Sequence, residues 1–290
     1  MLAPEDCVVL GIAPERPLAR RTTAVSQILR ALNDDLELGE TWRDKTFATG
    51  DYRIRVACDR MLRRRAYALA HRVYEGRGYA CNNSGLIVSP FDASPETLTL
   101  LVQDENGRDA ATISLVFDAH DGLPCDEIYG EELSALRAQG RRLVEVTRLA
   151  IDPEFQRSKA LLVCLFNFIY IFARRVKGRD DFVIEVNPRH VNYYCRLLNF
   201  VLAGPERACP RVQGAPAVLL RLDLSMVERE VQRVGGQGEA AAERTLYPHF
   251  FAKDEVKVAE FLARRQAQMS GADVEYFLGS RRDVTHSLSN

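Results

Sequence analysis

No sign of charge dominates this chain. Its 290 residues carry 39 Lys and Arg against 40 Asp and Glu, a formal net charge of −1. That balance removes the global field that draws a protein to nucleic acid or an anionic bilayer, so any such binding has to rest on a local patch. The chain also lacks any Cys-x-x-Cys pair: its seven cysteines (Cys7, Cys58, Cys81, Cys125, Cys164, Cys195, Cys209) are scattered and odd in number. A disulfide framework is excluded on those grounds, and reduced thiols are expected. The five histidines show no His-x-x-x-His spacing and no Cys spacing of the metal-binding kind, so no metal is expected. No basic n-region precedes an apolar core at Met1 to Asp6, which argues against a secretory signal and for a cytoplasmic protein. Internal repeats and low-complexity arrays are absent too. What remains, 47% hydrophobic residues with 8% aromatics, has the composition of a globular domain with extensions.

The longest apolar run, Ala160 to Ala173, is interrupted by Asn167 and falls short of the roughly 18 to 20 residues that span a bilayer. It reads as a buried helix, apolar on every face, packed on a sheet on one side and on other elements or a lipid-like ligand on the other. Around it the pattern alternates between strand and helix periods. Strands are expected at Thr46–Ala57, Thr97–Gln103, Asp109–Asp118, Arg142–Ile151, Phe182–Val186 and Ala217–Leu224. Helices are expected at Asp59–Glu75, Ile128–Gln139, Arg157–Val176 and His190–Leu198. This order is mixed α/β, with strands lying side by side around the crossover helix. Residues 1–45, with one helix near Ala24–Leu38, read as an N-terminal extension, and residues 225–290, with a helix at Asp254–Met269, as a helical C-terminal one, both outside the 46–224 core.

Three consecutive segments concentrate polar chemistry. In Leu143-Val144-Glu145-Val146-Thr147-Arg148-Leu149-Ala150-Ile151, alternation puts Glu145 and Thr147 on one face with Leu143 and Leu149, and Arg148 on the other with Val146 and Ala150. A charge on an interior strand is costly unless paired, and a structural role explains it as readily as a catalytic one. The loop Asp152 to Ala160 places Arg157, Ser158 and Lys159 at a helix N-terminus, where free N–H groups favour a phosphate, although a serine there also serves as a cap. The third segment, Asn187-Pro188-Arg189-His190 running on to Tyr194-Cys195-Arg196-Leu197-Leu198-Asn199-Phe200, follows a strand and enters a short helix.

Taken together, these segments resemble the GNAT acyltransferase fold. Within it, they resemble the long-chain N-acyl amino acid synthases of the FeeM type and the acyl-homoserine-lactone synthases more than the acetyltransferases. Glu145 to Ile151 is similar to the Glu-x-Ser/Thr-Arg-Phe/Leu-Ala-Ile/Val strand of the autoinducer synthases. Asn187 to Phe200 is similar to the Pro-Arg-His-x-x-x-Tyr-x-Arg-Leu segment of the N-acyl amino acid synthases, and Arg72-Val73-Tyr74 with Arg77-Gly78-Tyr79 to the end of their first helix. The likeness covers roughly residues 46–224.

The resemblance implies an N-acyltransferase that joins a medium or long acyl chain to an amine, and it implies roles. Glu145 is the expected general base, its basicity raised by burial. N–H groups near Ala150 and Ile151 are expected to polarise the thioester carbonyl. Tyr194 is expected to protonate the leaving thiolate, with Tyr193 adjacent and not separable by helical phase. Arg148 is expected to bind the acceptor carboxylate or to hold Glu145. Asn187 and Arg189 fall with Arg157, Ser158 and Lys159 in the group expected to contact the acyl donor. The loop Gln156 to Ala160 contains none of the glycines that let acetyl-CoA enzymes cradle a pyrophosphate. A single phosphopantetheine phosphate still fits, so the donor expected is acyl carrier protein, possibly acyl-CoA, as co-substrate, with no permanently bound cofactor. Basic clusters at Arg63–Arg65 and Arg174, Arg175, Lys177 and Arg179 are candidate docking points for that acidic partner. Leu162, Phe166 and Tyr170 are candidate walls of an acyl tunnel. The alternatives are a homoserine-lactone synthase using S-adenosylmethionine, a CoA-dependent acetyltransferase, and a non-catalytic carrier- or acyl-binding module. Cys195 with His190 lacks a third orienting group and is not expected to be a nucleophile.

Overall fold

The segment Thr46–Ala57 holds two strands rather than one, β1 (Phe47–Thr49) and β2 (Tyr52–Val56), paired antiparallel with Thr49 opposite Tyr52. These strands open a computed structural model that describes residues 47–49, 52–79, 84–251, 255–263 and 268–279. The helix expected near Ala24–Leu38 lies outside the described residues.

Helix α1 (Arg60–Glu75) starts where the Asp59 side chain accepts from the Leu62 N–H, as an N-cap should. Strands β3 (Thr97–Asp104) and β4 (Asp109–Phe117) form an antiparallel hairpin, and α2 (Asp126–Ala138) follows. Then come β5 (Leu143–Ile151), α3 (Lys159–Tyr170), capped by Ser158 and extended by π-helical turns over Ile171–Val176, and β6 (Asp181–Val186). Helix α4 (Val191–Leu198) stops at Asn199, whose φ of 58° is left-handed. Two strands too short for any alternation to show, β7 (Val201–Leu202) and β8 (Arg207–Cys209), precede β9 (Ala215–Asp223).

The sheet runs β1-β2-β3-β4-β5-β6-β9-β7, with β8 also pairing β9. Within it only β5 and β6 are parallel, since α3 carries the chain between them; every other pairing is antiparallel. One face packs on α3, with Leu100, Ile113, Leu115, Val144 and Val146 in that core. The other is covered by α1, against Leu101 and Ala150, and by α2, against Val116, Leu143 and Leu219.

The segment after Asp223 belongs to the same core. Helix α5 (Leu224–Val234) contributes Val227 and Val231, and α6 (Glu255–Ala263) contributes Val258 and Leu262. Phe251 meets Phe168 edge-on at 6.1 Å, and Phe250 lies 6.3 Å from Tyr170. The outer side of the apolar helix α3 is therefore covered by protein. A further helix, α7 (Gly271–Leu278), docks on α1 through Arg60–Asp273 at 2.6 Å and Tyr67–Phe277 at 5.4 Å. No helix of the described residues is long and apolar enough to cross a membrane.

Candidate active site

Strand β6 pairs with β5 only at Leu143, Val144 and Glu145, and beyond Glu145 the two strands share no ladder. A cavity of about 510 Å³ opens at this split. Glu145 to Leu149 line it from β5, Ile184 to Val186 from β6, Phe166 from α3 and Tyr194 from α4. The β6-facing backbone edge of β5 thus borders the cavity. Ala150 and Ile151 follow immediately, buried in the core and paired opposite Thr112 and Ala111.

The register of β5 against β4 shifts between Thr112 and Ser114, which face Ala150 and Thr147, so β5 carries one extra residue there. Arg148 sits in that bulge with φ 52°. The bulge reverses the expected facing: Arg148 does not share a side with Val146, because Val146 and Leu149 pack toward α3 while Ala150 packs toward α1. The Arg148 guanidinium lies 5.3 Å from the Tyr67 ring of α1 and donates through both terminal nitrogens to Asp92 at 2.5 Å. Asp92 in turn accepts from the Ser89 N–H at 2.8 Å. Arg148 therefore anchors the loop whose Ile87, Val88 and Ser89 form one wall of the cavity. Nothing in this geometry ties it to Glu145.

Glu145 is 2% exposed. Its Oε2 accepts from the Cys125 N–H at 2.8 Å, yet burial, aided by the nearby Glu185, pushes its carboxyl up to about 7. Glu185, one strand over, is raised as well, mainly by burial, although Arg211 pulls it down. Arg211 also holds Glu127 and donates to the Pro124 carbonyl at 2.7 Å, closing the far rim. Tyr194 lines the cavity with Phe166 at 6.3 Å, and burial raises its phenol, keeping the proton on oxygen at neutral pH. Its neighbour Tyr193 meets it edge-on at 5.5 Å and is not among the lining residues.

The remaining expected residues are placed as follows. Asn187 lines the cavity and its side chain caps the turn by accepting from the Arg189 N–H. Arg189 is exposed and donates to the Tyr79 hydroxyl at 3.4 Å. Arg157, Ser158 and Lys159 sit at the start of α3, outside the lining; Ser158 caps Leu161, and Lys159 pairs with Glu239 at 3.2 Å. Of the three tunnel candidates, Phe166 lines the cavity, and Leu162 and Tyr170 belong to the core. The basic clusters are largely spent inside the chain: Arg65 on Asp109, Arg63 on Asp273, Arg174 on Glu228 and Asp180, Arg175 on Glu255, and Lys177 and Arg179 on Glu96. A run of like charges in sequence does not show the carboxylates that folding brings to it.

Of the lining residues given no chemical role from the sequence, three bear on the chemistry. Arg77 and His190 border the cavity near Tyr194; burial, then Arg189 and Arg77, lower His190 to about 4, so it is neutral at physiological pH. Glu185 is the third. The resemblance had already touched Arg77 and His190 within motifs, whereas Glu185 reads as one more polar position in a strand.

The family model of the N-acyl amino acid synthase FeeM matches residues 65–223. Among solved structures, the chain is similar to FeeM, an N-acyl amino acid synthase from uncultured soil microbes, at 29% identity and TM-score 0.54, over 60% of this chain and 90% of that one. The acyl-homoserine-lactone synthase LasI is similar at 16% identity and TM-score 0.47, over 60% of this chain and 90% of its own. The CoA-dependent acyl-homoserine-lactone synthase BjaI is similar at 16% identity and TM-score 0.44, over 71% and 97%. Comparison with curated proteins gives no match.

Proposed function

Because the chain belongs to the N-acyl amino acid synthase FeeM family, an N-acyltransferase family with the GNAT-like fold, we propose that it joins an acyl chain from an acyl carrier protein thioester to the amino group of an amino acid. The observation that carries this reading is Glu145: a buried carboxyl raised to about 7, on the wall of a cavity opened by the parting of β5 and β6. A base poised near the working pH is what aminolysis needs, because an α-amino group with a reference pKa of about 8 enters mostly protonated.

The acyl donor reaches the split with its thioester carbonyl against the free edge of β5 at Val146 to Leu149, where backbone N–H groups polarise it. The neutral amine attacks the carbonyl carbon. A C–N bond forms, the C–S bond breaks, and the nitrogen proton passes to Glu145. The Tyr194 phenol protonates the departing thiolate and regains a proton from Glu145 through solvent, and because the acceptor enters as an ammonium that must first lose a proton, each turnover releases one proton to solvent. Arg157, Ser158 and Lys159 at the start of α3 receive the phosphate of the pantetheine arm, assisted by Asn187 and Arg189 on the approach. The absence of glycine from Gln156 to Ala160 favours this single phosphate over a CoA pyrophosphate.

The test is mass spectrometry of lipid extracts from bacteria expressing the wild type and Glu145→Gln. Wild-type cells are expected to accumulate N-acyl amino acids, and Glu145→Gln to lose turnover by roughly 10²- to 10⁴-fold while remaining folded. If purified wild type makes no amide from acyl carrier thioesters and a panel of amines, the reading fails.

A further inference from the structure

We propose that Arg77 binds the carboxylate of the amine acceptor, so that the cavity selects amino acids over amines that lack a carboxylate; this rests on the acyltransferase reading above. Arg77 is held on a rigid turn that closes α1: its N–H donates to the Tyr74 carbonyl at 3.0 Å, and the Tyr79 N–H reaches the same carbonyl at 3.1 Å. Gly78, with φ 77°, supplies the left-handed conformation that this reversal requires. The turn sets Arg77 on the cavity wall with Tyr74, Tyr79, His190 and Tyr194.

Among the described residues no carboxylate pairs with Arg77, and its Nη2 is buried without a hydrogen-bond partner. Other arginines at the edge of the interior are matched, Arg148 by Asp92, Arg207 by Glu132 and Arg211 by Glu185. The neighbouring cation Arg189 disfavours the charge on Arg77, and the neutral His190 offers it no compensation. Partial burial, which penalises the charged form, is the main cause that lowers its pKa. A half-buried guanidinium with no anion is costly to keep, and a ligand carboxylate supplies two acceptors in the geometry its fork presents.

Of the three arginines that line the cavity, Arg148 is matched by Asp92 and Arg211 by Glu185, which leaves Arg77 as the one without a carboxylate among the described residues. Carboxylates Glu145 and Glu185 stand on the β5 and β6 side, and Arg77 stands on the α1 side. A zwitterion fits that polarity, with its amine at Glu145 and its carboxylate at Arg77. The donor phosphate has its own candidates at the start of α3, outside the lining of this cavity, which leaves the acceptor as the source of the anion.

The experiment compares leucine with isopentylamine, and phenylalanine with phenethylamine, as acceptors for wild type, Arg77→Gln and Arg77→Lys. Wild type is expected to favour each amino acid by roughly 10- to 100-fold in kcat/KM, the range for a hydrogen-bonded charge pair. Arg77→Gln should abolish the preference through the acceptor KM, leaving the simple amines unaffected, and Arg77→Lys should restore part of it. Equal losses for both members of a pair, or a raised KM for the donor alone, would overturn the assignment. Should wild type acylate no amine, the acyltransferase reading fails separately. Equilibrium binding of the same amino acids then decides about Arg77: weaker binding to Arg77→Gln supports the site, and equal or undetectable binding by both proteins overturns it.

Discussion

Glu145 is the residue at which the proposed proton transfer and the stability of the fold meet. Its ordinary pKa of 4.5 rises to about 7 in the folded chain because burial penalises the carboxylate. Below pH 4.5 both folded and unfolded chains hold the proton and the residue costs little. As pH rises toward 7 the unfolded chain ionises first, so stability falls across that window and stays lower above it, by about 3 kcal/mol. Glu145→Gln removes this slope while keeping an acceptor for the Cys125 N–H. It is expected to raise the melting temperature relative to wild type at pH 8 and to change it little at pH 4.5, as thermal unfolding by circular dichroism will show. A difference independent of pH would mean the carboxyl is not desolvated as described. In the wild type kcat/KM should fall as pH drops below about 7, because the protonated residue cannot accept a proton.

The bulge in β5 is the corresponding feature among the elements. One extra residue flips the alternation, turns the Arg148 side chain toward Tyr67 and Asp92, and so ties a central strand to the loop that walls the cavity. Both partners are buried, so removing either leaves an uncompensated charge. Arg148→Ala and Asp92→Asn are each expected to lower unfolding free energy by about 3–5 kcal/mol. Together they should cost clearly less than the sum, since the second change removes the charge that the first one stranded. Urea unfolding of the four proteins measures this; strict additivity would show that the pair is not coupled. Glu145, Thr147 and Arg148 are legible in the sequence as an unusual polar set on a strand. The bulge is not, because it depends on how β4 registers against β5.

At the scale of the molecule, the C-terminal segment completes the core. Val227, Val231, Leu246, Tyr247, Phe250, Phe251, Val258 and Leu262 all join the cluster around α3. Tyr247 also donates its hydroxyl to the Leu198 carbonyl at the end of α4. A chain ending at Asp223 would leave the outer face of α3 in water, an apolar surface far beyond what a monomer tolerates. Such a truncation is expected to be insoluble or to bind a hydrophobic dye strongly, measurable by sedimentation and dye fluorescence beside the full chain. A soluble, cooperatively folding truncate would show instead that residues 46–223 form a self-sufficient unit.

Local pattern was enough to reveal the longer strands and helices from β2 to β9 and their order, since periods of 2.0 and 3.6 are written into consecutive residues, but not α5 or α7. It also revealed the buried helix and a polar strand and helix pair whose resemblance pointed to acyl transfer. Tertiary structure alone decided the rest. The short strands β7 and β8 exist only through their pairing with β9, and the basic clusters find their carboxylates only on folding. The parting of β5 from β6, which gathers Glu145, Glu185, Arg77 and Tyr194 around one cavity, depends on non-local register, and no local sequence pattern records where two strands stop touching.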